Sequence, residues 1–537
     1  MRFQLVFFVA VAGATLLIGF TATDAGPARK HAGRLRTRAS SPTVCGTNAP
    51  LSFVGIPGIG DVAGGNQNAV LSGNSNQSCG VSSAIGTGQG DIIDVTAQAS
   101  FLAGGYENRI GNSPVSTSES SFAFIGAGVF NEVTADGAFV GAGGTKYGSL
   151  LPNGSILYGN QVSGIDSFVG AGDLNNVLGA GSFIGAGGYA FAAARNTGAG
   201  NQISGTDSFI GAGDQNDVNA NEAFVGAGTG NFITNGADNS VIGGGDDNTT
   251  GNRFDAIAGG FGNGITGVDS FVGGGEGNDI STVDGNTVET NGASYAVIAG
   301  GLSNLVLATG TNGAEFSAIG GGYRNLSTGR YGTIAGGNAN IASGFMSTVA
   351  GGYHNVAGGE LSFAAGNGAH AATNGSFVWA DFSSTSATLT ATRADQFLAR
   401  AAGGVTFLSN AAGTTGVTLA PGSGAWGSAS DRNLKRDVTP LDDAAVLAKV
   451  AALPVAEWSY DSERGVRHVG PMAQDFYAAF KIGEDDRHIT AIDEDGVALA
   501  AIKGLDAKLE RRDAEIADLR RELRALEAAF KISERRR

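Results

Sequence analysis

The sequence predicts a mainly β protein. A glycine-rich β-roll or β-solenoid repeat array comes first, then a β-rich stalk, then a small α+β module ending in a coiled coil. Three observations carry this reading. An aliphatic residue followed by glycines recurs every 15 residues, at Ile319, Ile334 and Val349. An asparagine follows each by six positions, at Asn325, Asn340 and Asn355. From Ile502 onward, apolar residues fall at alternating steps of three and four, the pattern of a coiled-coil seam.

In chain order, residues 1–25 read as a secretory signal peptide. Arg2 gives the positive start, Leu5 to Phe20 the apolar run, and Thr23-Asp24-Ala25 the small residues of a cleavage site. The run is short for a membrane span, and no other stretch is apolar enough to cross as a helix. A secreted or cell-surface location is therefore expected, and the combination of features looks bacterial. Residues 26–99 form an N-terminal segment holding Cys45 and Cys79, the only two cysteines. An exported chain can bond them, within or between chains. Two cysteines with no histidine nearby do not make a metal site, and no cofactor is expected. A formal charge of -16 and a pI near 4.7 argue against nucleic acid as a partner.

The repeat array spans residues 100–368. The aliphatic–asparagine pairing recurs at Ile125/Asn131, Val169/Asn175, Ile210/Asn216, Val225/Asn231, Ile242/Asn248, Ile257/Asn263, Val272/Asn278 and Ile298/Asn304. Each unit has two short apolar stretches, such as Ser208-Phe209-Ile210-Gly211 and Asp217-Val218. One unit cannot bury its few aliphatic side chains alone, but stacked units share a continuous core. Asparagine suits the turns and can form side-chain ladders between coils. With 90 glycines, 10 prolines and no G-X-Y period, the chain is not collagen. Longer gaps, as from Ile184 to Ile210 and Val272 to Ile298, are insertions expected as loops on one face. Tyr147 to Tyr158 and Thr282 to Ser294 are candidate binding loops. Gly274-Gly275-Glu276-Gly277-Asn278-Asp279 matches the start of a calcium-binding nonapeptide, but the period is wrong and neighbouring units lack it.

The S-x-[IV]-G-x-G unit resembles the head repeats of trimeric autotransporter adhesins, the YadA-like β-roll. That resemblance implies a trimer. The C-terminus departs from it: a charged helix stands where a membrane barrel would need alternating amphipathic strands. No self-anchoring barrel is expected.

Residues 369–429 read as a β-rich connector or stalk, with strands around Phe377 to Phe382, Phe397 to Arg400 and Val405 to Leu408. Trp379 and Arg400 are read as packing residues. The module follows at 430–501. Thr439-Pro440-Leu441-Asp442 predicts a helix start and Pro454 its end. Val455 to Tyr460 and Val466 to Val469 read as strands, Met472 to Phe476 as a helix opening, and Ile489 to Ile492 as a last strand closed by a turn at Asp493 to Gly496. Residues 502–530 carry the coiled coil, with Arg512 at one seam position.

Ser430-Asp431-x-x-Leu434-Lys435, Trp458, His468-Val469-Gly470-Pro471-Met472-Ala473-Gln474-Asp475 and the closing coil resemble the peptidase S74 family, the intramolecular chaperone of phage endosialidases and tail spikes. The resemblance implies a homotrimer in which the module drives folding of the preceding β-structure and then releases itself. Cleavage would fall between Ala429 and Ser430, carried by a dyad of Ser430 and Lys435. Asp431, His468 and Gln474 are possible supporting residues. A serine hydroxyl needs a base, and a lysine serves as one only when neutral. Without the resemblance, Ser-Asp is a common helix cap and Lys435 a surface residue.

The expected protein is thus an exported homotrimeric fibre or adhesin-like chain matured by a single self-cleavage, with a cell-surface glycan or host surface as a ligand class. Alternatives are a polysaccharide-binding or polysaccharide-degrading spike-like protein, or an uncleaved trimerisation module on a structural rod. Degradation needs paired carboxylates in a groove, and the acids here are scattered across turns.

Overall fold

The structure, a computed structural model, describes residues 53–56, 60–111, 120–144, 159–188, 200–282, 292–309, 313–384 and 387–535. The predicted signal peptide and Cys45 lie outside the described residues, as do 147–158 and 283–291 of the candidate loops. Cys79 is disulfide-bonded. The chain divides into two compact units at Gly404/Val405.

The first unit is a β-solenoid whose coils each give one strand to each of two parallel ladders. The first ladder has 20 strands and runs from Phe53–Ile56 to Phe397–Arg400. The second runs from Val62–Ala63 to Leu389–Thr390. Most strands hold two residues, one outside and one inside. Ile125, Val140, Val169, Ile184, Ile210 and Val225 of the first ladder face Val133, Val162, Val177, Ile203, Val218 and Ile233 of the second, all fully buried. One such pair per coil is too little core to hold a coil alone, so stability is shared between neighbours.

The predicted asparagine ladder closes one corner. Asn340 is fully buried, and its Nδ2 donates to Asn325 Oδ1 at 3.0 Å, to Gly336 O at 3.0 Å and to Gly352 O at 3.0 Å. Its Oδ1 takes the backbone N–H of Asn355 at 3.0 Å. The same set recurs from Asn108 onward, so each buried amide satisfies the turn of its own coil and of the next. A serine column serves the opposite corner. Ser182 N donates to Ser167 Oγ at 3.2 Å and Ser208 N to Ser182 Oγ at 3.1 Å.

Two expectations are corrected here. The solenoid neither begins at residue 100 nor stops at Gly368. Coils are already stacked at Phe53, and Phe377 and Phe397 continue the first ladder in register. Before residue 100 the pattern in fact persists, with Val70 six residues before Asn76 and 15 before Ile85, whereas coil length and the aliphatic–asparagine pairing change beyond Gly368 while the ladder pairing does not. Arg400 closes the far end through Asp381 (3.1 Å) and the carbonyl of Ala387 (2.9 Å). Insertions leave the ladders undisturbed, since Ile184 pairs directly with Ile210 and Val272 with Ile298. In sequence, residues 145–158 and 189–199 follow first-ladder strands, whereas 112–119 and 283–291 follow second-ladder strands. Gly274 to Asp279 is an ordinary coil with Asn278 in the asparagine ladder. Among the described residues, no group of three or more metal-type side chains converges.

The second unit starts with an antiparallel meander, Val405–Leu408, Gly416–Leu419 and Trp426–Ser428. Helix α1 (Asp443–Ala452), a hairpin of Ala456–Trp458 with His468–Gly470, helix α2 (Ala473–Phe480) and helix α3 (Ala491–Glu534) follow. Val446, Phe476, Val497, Ala500 and Ala501 form its small core. Helix α1 begins later than Thr439-Pro440 predicts, because the Asp442 carboxylate takes the amides of Ala444 and Ala445 at 3.1 Å and caps the helix there. The strand expected at Ile489 to Ile492 is absent. Thr490 Oγ1 accepts from Asp493 N at 3.2 Å and donates to Asp493 Oδ2 at 2.8 Å, which starts α3 instead. Module and heptad segment therefore share one helix. Its seam residues Leu509, Leu519, Leu523 and Leu526 are exposed in the single chain. No helix among the described residues is long and apolar enough to cross a membrane.

Candidate functional site

The sequence Ser430-Asp431-Arg432-Asn433-Leu434-Lys435 folds into one tight turn. The Asp431 carboxylate accepts the Asn433 backbone N–H at 2.9 Å and its side-chain amide at 3.1 Å. This cap starts a 3-10 turn over Arg432–Leu434, and the Lys435 N–H donates to Arg432 O at 3.2 Å. The chain thereby doubles back, and Lys435 Nζ lies 2.7 Å from Ser430 Oγ. A spacing of five residues does not bring side chains together on a regular α-helix; the 3-10 turn does. Asp431 is thus a positioning residue for the turn.

The residue before the serine ends a strand. Ala429 follows Trp426–Ser428, and its N–H donates to Gly416 O at 3.3 Å. It rims an open depression of about 640 Å³ lined also by Leu408, Thr418 and Trp426. The peptide bond between Ala429 and Ser430 therefore links the end of a sheet to the start of the turn. Every residue from Pro421 to Asp442 is exposed in the single chain.

His468 and Gln474 do not join this contact. His468 lies opposite Trp458 in the hairpin and stacks on it, with ring centroids 4.8 Å apart. Its Nε2 is 2.8 Å from Glu463 Oε2. Tyr460 meets Trp458 edge-on at 4.8 Å. Gln474 is exposed in the first turn of α2. His468 thus belongs to an aromatic and acidic cluster around the hairpin. Glu463 went unread in the sequence, because an acidic residue in a charged loop carries no signal of its partner.

Residues 430–481 match the model of the family Peptidase_S74, described as chaperone of endosialidase. The match starts at Ser430 and spans the turn, α1, the hairpin and α2. Residues 430–481 are therefore a Peptidase_S74-type domain. No curated protein matches the chain.

Proposed function

We propose that this chain is an exported homotrimeric fibre or adhesin-like protein whose C-terminal module drives assembly and then releases itself between Ala429 and Ser430. The observation that supports it is the 2.7 Å contact between Lys435 Nζ and Ser430 Oγ, set at the first residue of the family match. The neutral amine of Lys435 takes the proton of Ser430 Oγ as that oxygen attacks the carbonyl carbon of Ala429. The C–N bond breaks, and the amine of Ser430 takes its proton from the lysine ammonium. Water then hydrolyses the ester, leaving a carboxylate on Ala429 and the hydroxyl on Ser430.

Exposure of the pair gives this chemistry its timing. A solvated lysine is charged at neutral pH and is no base. Burial of the junction by neighbouring subunits disfavours the charge and switches the base on. Cleavage then follows assembly. The exposed seam of α3 supplies the assembling element as a parallel coiled coil. A glycan or other host surface is the ligand class we assign to the solenoid, at loops inserted between its strands.

The test is mass analysis of the full chain beside Ser430→Ala on a denaturing gel. The expected result is a large fragment ending at Ala429 and a small one starting at Ser430 in the parent, with the variant whole. A parent chain that oligomerises and stays intact refutes the cleavage.

A further inference from the structure

Gly416 lies where the meander meets the bond that the proposed cleavage breaks. Its carbonyl accepts the Ala429 N–H at 3.3 Å. The centre strand pairs Val417 with Ser428, Thr418 with Gly427 and Leu419 with Trp426, so the next step of the register sets Gly416 opposite Ala429. In an antiparallel ladder, successive residues turn their backbone groups to alternate sides, and the N–H and C=O of one residue point the same way. Thr415 uses the far side, where its carbonyl accepts the Ser409 N–H at 2.9 Å. Gly416 therefore turns its N–H, like its carbonyl, toward Ala429. Among the described residues that N–H makes no hydrogen bond to the Ala429 carbonyl.

The cleavage needs a donor at this oxygen. Attack by Ser430 Oγ closes a ring of Oγ, Cβ, Cα, N and the carbonyl carbon of Ala429. The π pair of the carbonyl moves onto its oxygen, which becomes an oxyanion, while Lys435 Nζ holds the proton of the hydroxyl. The pair returns when the C–N bond breaks and the nitrogen takes the proton. The turn has little to offer the oxyanion. Its N–H groups at Asn433, Leu434 and Lys435 are engaged by Asp431 Oδ1, Asp431 O and Arg432 O at 2.9, 3.1 and 3.2 Å. The side-chain amide of Asn433 is held by the same Asp431 carboxylate.

We propose that the backbone N–H of Gly416 is the oxyanion donor for the self-cleavage. The inference rests on the self-release reading above and assigns a further catalytic group to it. A donor that meets the tetrahedral oxygen and leaves the ground-state carbonyl unbound lowers the barrier, because it binds the transition state better than the substrate. Such a donor must also be fixed in advance. The strand Val405–Leu408 backs Gly416 closely. A Cβ at residue 416 would stand 2.0 Å from the Phe407 carbonyl oxygen and 2.9 Å from the Leu408 Cα, both backbone atoms that cannot swing aside. Only glycine lets the centre strand sit there.

The donor lies before the cut and the dyad after it. Gly416 precedes the family match, which begins at Ser430. Cleavage therefore leaves Gly416 on the repeat fragment and Ser430 with Lys435 on the released one. The site comes apart as it acts, and each chain cuts once.

The test removes the one N–H. Cell-free translation of the full chain with a suppressor tRNA carrying glycolic acid places an ester at residue 416 in place of the amide. Cleavage is expected to slow about a hundredfold or more, the scale of a lost oxyanion donor, with assembly by sedimentation unchanged. The same replacement at Gly427 removes a ladder donor facing Thr418 in the same sheet and is expected to leave cleavage close to the parental rate. Hydrolysis of the introduced ester would give a fragment ending at Thr415, which mass separates from one ending at Ala429. A residue-416 ester that cuts at the parental rate overturns the assignment, and so does equal slowing by both esters, which would make Gly416 a structural part of the sheet. Either result leaves the self-release reading standing. A parent chain that assembles and never cuts overturns both.

Discussion

Lys435 Nζ meets Ser430 Oγ over 2.7 Å across a turn that is wholly exposed. In the proposed cleavage the lysine has two separable jobs, donating a hydrogen bond and accepting a proton. Arginine can do the first and not the second, because its guanidinium stays protonated in proteins. Lys435→Arg is therefore expected to assemble like the parent and to cut at least a hundredfold more slowly, the scale of a lost general base. Time courses on denaturing gels, with sedimentation as the control for assembly, measure this. A variant that cuts at the parental rate removes Lys435 from the chemistry.

Asp91 stands where neighbouring coils place an asparagine. Its Oδ1 accepts from Asn108 N at 2.9 Å, as an asparagine oxygen would. Its Oδ2 takes the place of the amide nitrogen and has no partner. Burial pushes its pKa up to about 6, with Glu107 adding to the effect and the hydrogen bonds from Asn108 opposing it. Unfolded, the group titrates near ~3.9. The folded state therefore holds the proton to higher pH, and stability falls as pH rises through that window. At ~1.4 kcal/mol per pKa unit, the loss above pH 6 is about 3 kcal/mol. Asp91→Asn is expected to recover most of it at pH 8 and almost none at pH 4. Urea melts at the two pH values read the difference.

Asp255 repeats this chemistry in the serine column. It accepts from Asn252 N at 3.1 Å and from Ser270 N at 3.3 Å, and burial pushes it up to about 8. Its destabilising charge arrives at a higher pH than that of Asp91. In Asp91→Asn, the part of the remaining decline that lies between about pH 6 and pH 8 belongs to Asp255, and Asp255→Ser should remove that part. Thermal melts of the single and double variants between pH 5 and 9 test the assignment; a pH-independent single variant refutes it.

The asparagine ladder yields a prediction of the opposite kind. Asn263 donates to Asn248 Oδ1, Gly259 O and Gly275 O at 3.0 to 3.1 Å and accepts from Asn278 N at 3.0 Å. Asn263→Ala strands several buried partners, each worth about 1–3 kcal/mol, for a loss of roughly 3–5 kcal/mol. Asn263→Asp keeps the accepting oxygen and should act like Asp91, tolerated at pH 5 and damaging at pH 8. Melting both variants at each pH separates lost donors from added charge.

These cases show what was legible in the sequence and why. One asparagine per coil does one job at one position, so the ladder shows as a periodic signal, and Ile125/Asn131 reads the same as Val349/Asn355. The limits of the solenoid were not legible, because the coils holding Ala364, Ala371 and Val378 keep the ladder while changing the spacing. The start of α3 was hidden for another reason. Ile489 to Ile492 reads as a strand in isolation, and only burial of Val497, Ala500 and Ala501 against α1 decides for helix. Phe124, Phe139, Phe168 and Phe183 were visible one by one, but their stacking outside the first ladder depends on strand pairing. Proximity of Ser430 and Lys435 follows from family resemblance and a 3-10 turn, neither of which spacing implies.

Gly504 sets two known effects against each other. It lies inside α3 where that helix passes the start of α1, and a Cβ there would stand 2.3 Å from the backbone carbonyl of Asp443. Glycine inside a helix costs about 1 kcal/mol relative to alanine, so propensity alone predicts that Gly504→Ala stabilises. Backbone cannot swing aside as a side chain can, and overpacking of this kind costs about 1–3 kcal/mol. The contact should win. Gly504→Ala is expected to loosen α1 from α3, weaken the 3.2 Å pair of Lys503 with Asp443 and lower the module's melting temperature. A small loss of cleaved product should accompany it, because α1 follows the turn that carries Lys435. Gly496→Ala is the control, since it has nothing within 4 Å of its added Cβ and should stabilise the same helix. A rise in melting temperature for both variants would mean that the two helices do not approach as closely as the Asp443 carbonyl requires.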